Sequence, residues 1–141
     1  MKTIEATEHE EQVAFFDSVE WTYKSCVDFK RLLLFATFNG EIWRSAGKLA
    51  RAGLTRGVSD ILYLQPRGGY AFFTCELKRI GRKGERDGGV TPEELEWMKE
   101  ARKAGAYVCA AYGADEALQM FGNYMALEVS DSQYITTNSG R

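Results

Sequence analysis

The chain has 141 residues, of which 45% are hydrophobic and 27% are charged, and its formal net charge is −2. This length and composition predict one soluble globular domain that buries a core without disulfides or a structural metal. The small net charge argues against a protein that coats nucleic acid non-specifically. No apolar run reaches membrane-spanning length, and the first residues lack the hydrophobic region of a signal peptide, so we expect a cytoplasmic protein.

A first helix is predicted from Thr7. Thr7 is a suitable N-cap residue, and Glu10 stands three positions later, as in a capping box. Glu8 and Glu11 share that first turn, where the helix dipole favours negative charge. The acids of this turn therefore have a sufficient structural explanation, and a catalytic role for one of them is an open alternative.

The next segment, residues 21–38, is aromatic and apolar with interspersed charges, which predicts a second helix leading into a strand over 33–38. Residues 39–40 are Asn-Gly and predict a turn. A short helix with a basic face is predicted over 45–52, ended by Gly53.

The centre of the chain predicts a hairpin with strands over 58–64 and 70–77 and a turn at 66–69. Residues 80–89 are rich in glycine and charge and predict a mobile loop, which would either be a solvated connector or wrap a phosphate backbone.

The last third of the chain begins with a strong helix start at residues 91–94, with threonine as cap, proline at the first helical position and glutamate at the third. This helix is predicted to continue to Ala104, followed by a strand over 106–112 and a helix over 114–125. Residues 1–129 then form one domain and residues 130–141 a polar, disordered tail. The order of elements predicts an α/β fold, a mixed sheet flanked by helices.

Three cysteines, Cys26, Cys75 and Cys109, lie far apart without a CxxC pair, and His9 is the one histidine. Zinc ligation is therefore not expected. We interpret the cysteines as reduced core residues.

Two acids and a lysine converge in the predicted hairpin. Strand geometry places Glu76 and Lys78 on one face, and Asp60 lies on the neighbouring strand. Hard oxygen ligands suit magnesium or manganese, so these two carboxylates and the backbone carbonyl of Leu77 form a candidate metal site for phosphodiester hydrolysis. Lys78 would orient the attacking water or stabilise the developing charge. The alternative is a cross-strand salt bridge without catalytic meaning.

Two basic segments flank these acids, one before Asp60 and one after Lys78. They would neutralise phosphates on either side of a cut, or they are simply solvated faces. The candidate DNA-binding residues are Arg44, Lys48, Arg51, Arg56, Arg79, Arg82 and Lys83.

These ordered motifs resemble the virus-type replication-repair nuclease (VRR-NUC) family of the PD-(D/E)xK nuclease superfamily. The resemblance covers about residues 8–125 and is more specific than any single motif. It is carried by residues 39–40, 53–60, 76–78, 91–97 and 104–107.

The resemblance implies a restriction-endonuclease-like fold and DNA cleavage with Mg²⁺ or Mn²⁺, in which Asp60 and Glu76 are metal ligands and Lys78 is the catalytic lysine. It also implies an acid on the first helix, for which Glu10 is our choice and the two other glutamates of that turn are competitors. Family members of this size are homodimers that nick branched DNA such as four-way junctions, and their phage association points to recombination or repair.

Two positions depart from the family pattern. Ser59 replaces the usual proline, which supplies turn stiffness rather than a ligand. Glu94 replaces a common glutamine, and its carboxylate would either join the metal site or repel phosphate. An inactive, junction-binding module is therefore an alternative function. A purely structural subunit is a third, in which Tyr112, Phe121 and Tyr124 form an interface.

Overall fold

The computed structural model describes residues 4–37 and 46–131. The predicted turn at 39–40, Arg44 and the tail beyond residue 131 lie outside these ranges. None of the described helices is both long and apolar enough to cross a membrane. The helices are α1 (Glu8–Tyr23), α2 (Ala46–Arg51), α3 (Pro92–Lys103) and α4 (Ala114–Met125), and the strands are β1 (Leu34–Ala36), β2 (Ile61–Tyr63), β3 (Phe73–Lys78) and β4 (Tyr107–Tyr112).

The four strands form one mixed sheet in the order β1-β2-β3-β4. β1 pairs with β2, and β2 with β3, in antiparallel fashion, whereas β3 and β4 run parallel. Parallel neighbours need a crossover connection, and α3 lies within it. The predicted mixed sheet flanked by helices is therefore confirmed.

The core is aromatic and centres on Phe121 of α4. The ring of Phe121 lies 6.0 Å from that of Phe15 on α1, and 5.3 and 5.5 Å from those of Tyr63 and Phe73 on the sheet. Edge-to-face pairs of this kind add about 0.5–1.5 kcal/mol each beyond the burial of area. Because Phe121 and Tyr124 are fully buried within the chain, the hypothesis that they form an interface is wrong.

A buried arginine connects the turn between β2 and β3 to the end of α4 and to the segment after α1. Arg67 is 2% exposed, and its guanidinium donates to the carbonyls of Met125 and Leu127 at 2.9 and 2.8 Å and to the Gln65 side chain at 2.7 Å. It also pairs with the Asp28 carboxylate at 3.1 Å. The sequence predicted a simple turn here, whereas the structure shows a polar anchor whose donors are satisfied by distant segments.

The predicted second helix is wrong. After α1 ends at Tyr23, the chain turns and forms a short 3₁₀ helix at Arg31–Leu33 before β1. The carbonyl of Asp28 accepts a hydrogen bond from the Gln65 side chain at 2.8 Å, so a tertiary partner takes the acceptor that a helix would use. Cys26 is exposed in this connection, which corrects its assignment to the core.

The predicted loop over 80–89 contains one 3₁₀ helix, Ile80–Gly84, followed by a turn over Arg86–Gly89 in which Asp87 and Gly88 have positive φ angles of 53° and 63°. The Tyr112 hydroxyl donates to the carbonyl of Gly88 at 2.8 Å, which joins this segment to the end of β4. A Cβ atom at Gly88 would lie 1.9 Å from that hydroxyl. Glycine is therefore required for this close approach.

Candidate active site

Asp60 and Glu76 project from the same face of the sheet. Asp60 immediately precedes β2, whose register pairs Ile61 with Cys75, so Asp60 comes opposite Glu76. Side chains of directly opposed residues lie on one face. The two residues are only 6% and 3% exposed. The predicted pair of acids is therefore brought together in a buried position.

Asp60 is fixed by the backbone of the neighbouring strand. Its Oδ2 accepts a hydrogen bond from the N–H of Leu77 at 2.8 Å. Leu77 lies beyond Cys75, the last residue of β3 that pairs with β2. In a regular strand the N–H and C=O groups of one residue point to the same edge. The carbonyl of Leu77 therefore points to the edge from which Asp60 approaches, as the predicted ligand set requires.

Burial and the nearby charges of Asp60 and Glu94 raise the pKa of Glu76 to about 9. Burial also raises the pKa of Asp60, although the N–H of Leu77 opposes this shift. Two ionised carboxylates cannot hydrogen-bond to each other, and Oε2 of an ionised Glu76 is buried without a partner. A protonated Glu76 instead donates to Asp60. The pair therefore needs a proton or a cation between its oxygens.

Lys78 supplies one positive charge to this cluster. Its Nζ lies 3.3 Å from Oε1 of Glu76 and 2.9 Å from Oε2 of Glu94, and the lysine is 4% exposed. Burial disfavours the ammonium, but the hydrogen bond from Lys78 to Glu94 and the charges of both glutamates outweigh it and raise the pKa of Lys78. Lys78 is therefore a buried cation rather than a base.

Glu94 reaches Lys78 from the first turn of α3. Its Oε2 accepts from the N–H of Thr91 at 3.0 Å, and its own N–H donates to Oγ1 of Thr91 at 3.2 Å, which completes the predicted capping box. The loop before Asp60 packs against this turn at Gly57, where a Cβ atom would lie 2.5 Å from the carbonyl oxygen of Glu93. Glu94 is therefore held by its own helix and by the loop that leads to Asp60.

Glu10, our choice for the acid of the first helix, is directed away from this cluster. Its carboxylate is exposed and accepts from the backbone N–H of Thr7 at 2.8 Å and from the Thr7 hydroxyl at 3.0 Å. The capping box that predicted the helix start thus occupies the glutamate we had chosen. Glu11 is engaged elsewhere as well, because its Oε2 accepts from the N–H of Ala114 at 2.5 Å and caps α4.

Glu8 is the glutamate of this turn that faces the site. Its charge contributes to the raised pKa of Asp60, and its Oε1 is buried without a hydrogen-bond partner. The nearest cation is Arg82, whose Nη1 lies 3.7 Å from that oxygen. Helical spacing does not distinguish Glu8 from the other glutamates of this turn. What distinguishes Glu8 is its position next to Arg82, which belongs to the segment after β3.

The basic candidates are divided between two regions. Arg79 and Arg82 line an open cleft of about 430 Å³ together with Thr7, Glu8 and Glu85. Lys83 pairs with Glu116 at 3.5 Å. The others that the structure describes, Lys48, Arg51 and Arg56, are exposed on α2 and on the loop before Asp60.

The carboxylates fit a hard divalent cation. Within the described ranges, no three His, Cys, Asp or Glu side chains gather closely enough to enclose an ion. Magnesium, however, commonly uses one or two carboxylates and completes its octahedron with water and phosphate oxygens. Oε2 of Glu76, which is buried without a hydrogen-bond partner, and the neighbouring Asp60 carboxylate provide oxygen ligands of the kind that Mg²⁺ prefers.

Comparison with known proteins identifies the architecture. A solved structure described as a "VRR_NUC domain protein" is similar with a TM-score of 0.69 and 22% identity, over 86% of this chain and 90% of that chain. No family model matches the sequence, and no curated protein matches it. The fold therefore belongs to the restriction-endonuclease-like α/β class. More particularly, it is the fold of a VRR-NUC domain, as the sequence motifs predicted.

Proposed function

We propose that this protein is a VRR-NUC nuclease that cleaves DNA with Mg²⁺ or Mn²⁺. The observation that carries the proposal is the buried cluster in which Asp60 and Glu76 share a face and Lys78 lies within 3.3 Å of Glu76. Burying charges without a task is costly, and perturbed pKa values in such clusters are typical of functional sites. The similarity of the fold to that of a VRR_NUC domain protein supports a phosphodiester as the substrate of this cluster.

In this proposal each group has one role. A divalent ion, when bound, polarises the phosphodiester and lowers the pKa of water. Asp60, Glu76 and the Leu77 carbonyl would hold that ion. The Lys78 ammonium donates hydrogen bonds to the attacking water or to the phosphate oxygens as negative charge develops there.

Glu8 and the cleft beside it complete the proposed site. We give Glu8 the role predicted for Glu10, because Glu8 lines this cleft and its Oε1 is buried without a hydrogen-bond partner. Arg79 and Arg82 at the cleft supply positive charge for phosphates next to the scissile bond. A homodimer with two such sites would make paired nicks in a branched substrate such as a four-way junction.

Asp60→Asn and Glu76→Gln test the proposal, since both keep the side-chain shape but remove the ionised ligand. Purified protein is incubated with labelled four-way junction, flap and linear duplex, in manganese and in EDTA. We expect metal-dependent nicking by the wild type and none by either variant. Glu96→Gln, an exposed acid of α3, is the control and should cut normally. Undiminished nicking by the Asp60 or Glu76 variant would refute the assignment.

The alternative, an inactive junction-binding module, is favoured by the ion pairs that hold Lys78 to two glutamates. Calorimetry with manganese separates the two functions. A nuclease should show a manganese site that Glu76→Gln abolishes, whereas an inactive module should bind junctions with no such site.

A further inference from the structure

Glu94 binds the Lys78 ammonium from α3, whereas Glu76 binds it from the same strand. The Lys78 Nζ lies 2.9 Å from Oε2 and 3.1 Å from Oε1 of Glu94, closer than its 3.3 Å distance to Glu76. Lysine has a flexible four-carbon stem, so its ammonium stays in one place only where its partners hold it. Glu94 is the nearer of these two partners.

The oxygens of Glu94 are already engaged by protein donors. Oε1 accepts from Lys78, and Oε2 is shared between Lys78 and the N-cap N–H of Thr91. The carboxylate therefore neither adds to the proposed ligand set nor presents an oxygen without a donor to phosphate. Glu94 therefore takes neither of the two roles expected from its replacement of the family glutamine.

We propose that Glu94 is a positioning residue that keeps Lys78 in place while Glu76 serves the metal ion. The inference rests on the proposed nuclease function. A cation bound to Glu76 would repel the Lys78 ammonium, which lies 3.3 Å from Oε1 of Glu76, so Glu76 would no longer hold Lys78. Glu94 keeps its hold because it is anchored by α3 and by the packing of Gly57, not by the metal ligands.

The first test compares two substitutions at one position. Glu94→Ala should lower kcat on the order of 10–100-fold, the usual effect of losing a group that orients the chemistry from outside the ligand set. KM should stay unchanged, and the manganese affinity should be the same in Glu94→Ala and Glu94→Gln, since both remove the same charge. Glu94→Gln should recover to within about threefold of wild type, since its amide oxygen still accepts from Lys78. Loss of activity by Glu94→Gln equal to that by Glu94→Ala would overturn the proposal.

Two controls separate positioning from helix stability. Glu93→Ala removes an equal charge from the same turn, and Thr91→Ala removes the hydroxyl cap but leaves Glu94 in place. Both should keep the wild-type kcat, although Thr91→Ala should lower the melting temperature. A loss of kcat by Thr91→Ala as large as that by Glu94→Ala would overturn the proposal.

A second readout does not need cleavage. In EDTA, Glu94→Ala should lower the urea midpoint of the wild-type chain and shift it far less in a Lys78→Met background. Equal shifts in both backgrounds would overturn the inference. Failure of the wild type to cut any DNA would instead count against the proposed function. The urea measurement would still test whether Glu94 and Lys78 interact.

Discussion

At the scale of single residues, the site contains more buried acidic groups than its single ammonium can neutralise. Asp60, Glu76 and Glu94 bring three carboxylates to one ammonium, that of Lys78. One ammonium cannot compensate three ionised acids at low dielectric. The excess negative charge therefore raises the pKa of Glu76 and favours either a bound proton or a bound cation.

This balance predicts how stability depends on pH. The pKa of Glu76 rises from 4.5 to about 9 on folding, so the folded protein binds the extra proton. The contribution of this proton to the free energy of unfolding is fully present below pH 4.5. It falls by at most about 1.4 kcal/mol per pH unit as the pH rises towards 9.

Glu76→Gln removes this ionisation. In EDTA, the difference in unfolding free energy between the variant and the wild type should therefore grow in the variant's favour between pH 5 and pH 9. Urea unfolding at several pH values measures this difference. Parallel pH profiles for the two proteins would contradict the prediction.

A second prediction at this scale separates two glutamates of one helical turn. Glu8→Gln should lower cleavage on the order of 10-fold or more, because the proposed site then loses the carboxylate that lines its cleft. Glu10→Gln, in the same turn, should keep kcat, because its carboxylate caps α1 at the surface. Steady-state cleavage with a matched melting curve measures both. The opposite order of effects would return the role to Glu10.

At the scale of elements, the parts that could be predicted from the sequence depend on neighbours within a few residues. The starts of α1 and α3 were predicted because a capping box spans four residues, and both boxes are present. β3 was predicted from its aromatic and β-branched content. The register that brings Asp60 opposite Glu76 follows from the hairpin between them.

Elements and residues that depend on distant partners could not be predicted. Arg67 binds carbonyls 58 and 60 residues away, and no periodicity marks such a contact. Glu11 caps a helix 103 residues away, so the choice among the first-turn glutamates was undecided in the sequence. The composition after Tyr23 is typical of a helix, but the side chains of Gln65 and Arg67, from beyond β2, both donate to the backbone carbonyl of Asp28.

The packing of the loop before Asp60 on α3 leads to a prediction for two glycines. Gly57→Ala places a Cβ atom 2.5 Å from the carbonyl oxygen of Glu93 and should displace the turn that carries Glu94. Gly53→Ala is the matched control, since Gly53 also has a positive φ, of 102°, but nothing lies within 4 Å of the added atom.

Both glycine variants should lose roughly 1 kcal/mol of stability through backbone strain. Only Gly57→Ala should lose more than this and also lose kcat, because Lys78 then loses its partner. Urea unfolding and single-turnover cleavage measure the two effects. Equal losses in the two variants would show that strain alone explains them.

At the scale of the whole molecule, the topology explains why the groups meet. β3 lies inside the sheet, and its connection to parallel β4 includes α3. The carboxyl ends of parallel strands are where open α/β sheets place their ligands. Glu76 and Lys78 lie at that end of β3, the first turn of α3 returns to it, and the segment after β3 brings Arg82 to Glu8.

This placement predicts which basic residue contacts the DNA backbone. Arg79 is exposed, directly follows β3 and lines the cleft beside Glu8. If it contacts one phosphate, Arg79→Ala should reduce the slope of log K against log salt by about 0.9. Lys103→Ala is the control, because Lys103 lies at the far end of α3 and pairs with Glu100 at 3.1 Å. Fluorescence anisotropy with a four-way junction and Asp60→Asn protein measures binding without cleavage. A slope that both substitutions leave unchanged would place the DNA on another face, because an exposed arginine beside the scissile phosphate cannot avoid displacing counterions.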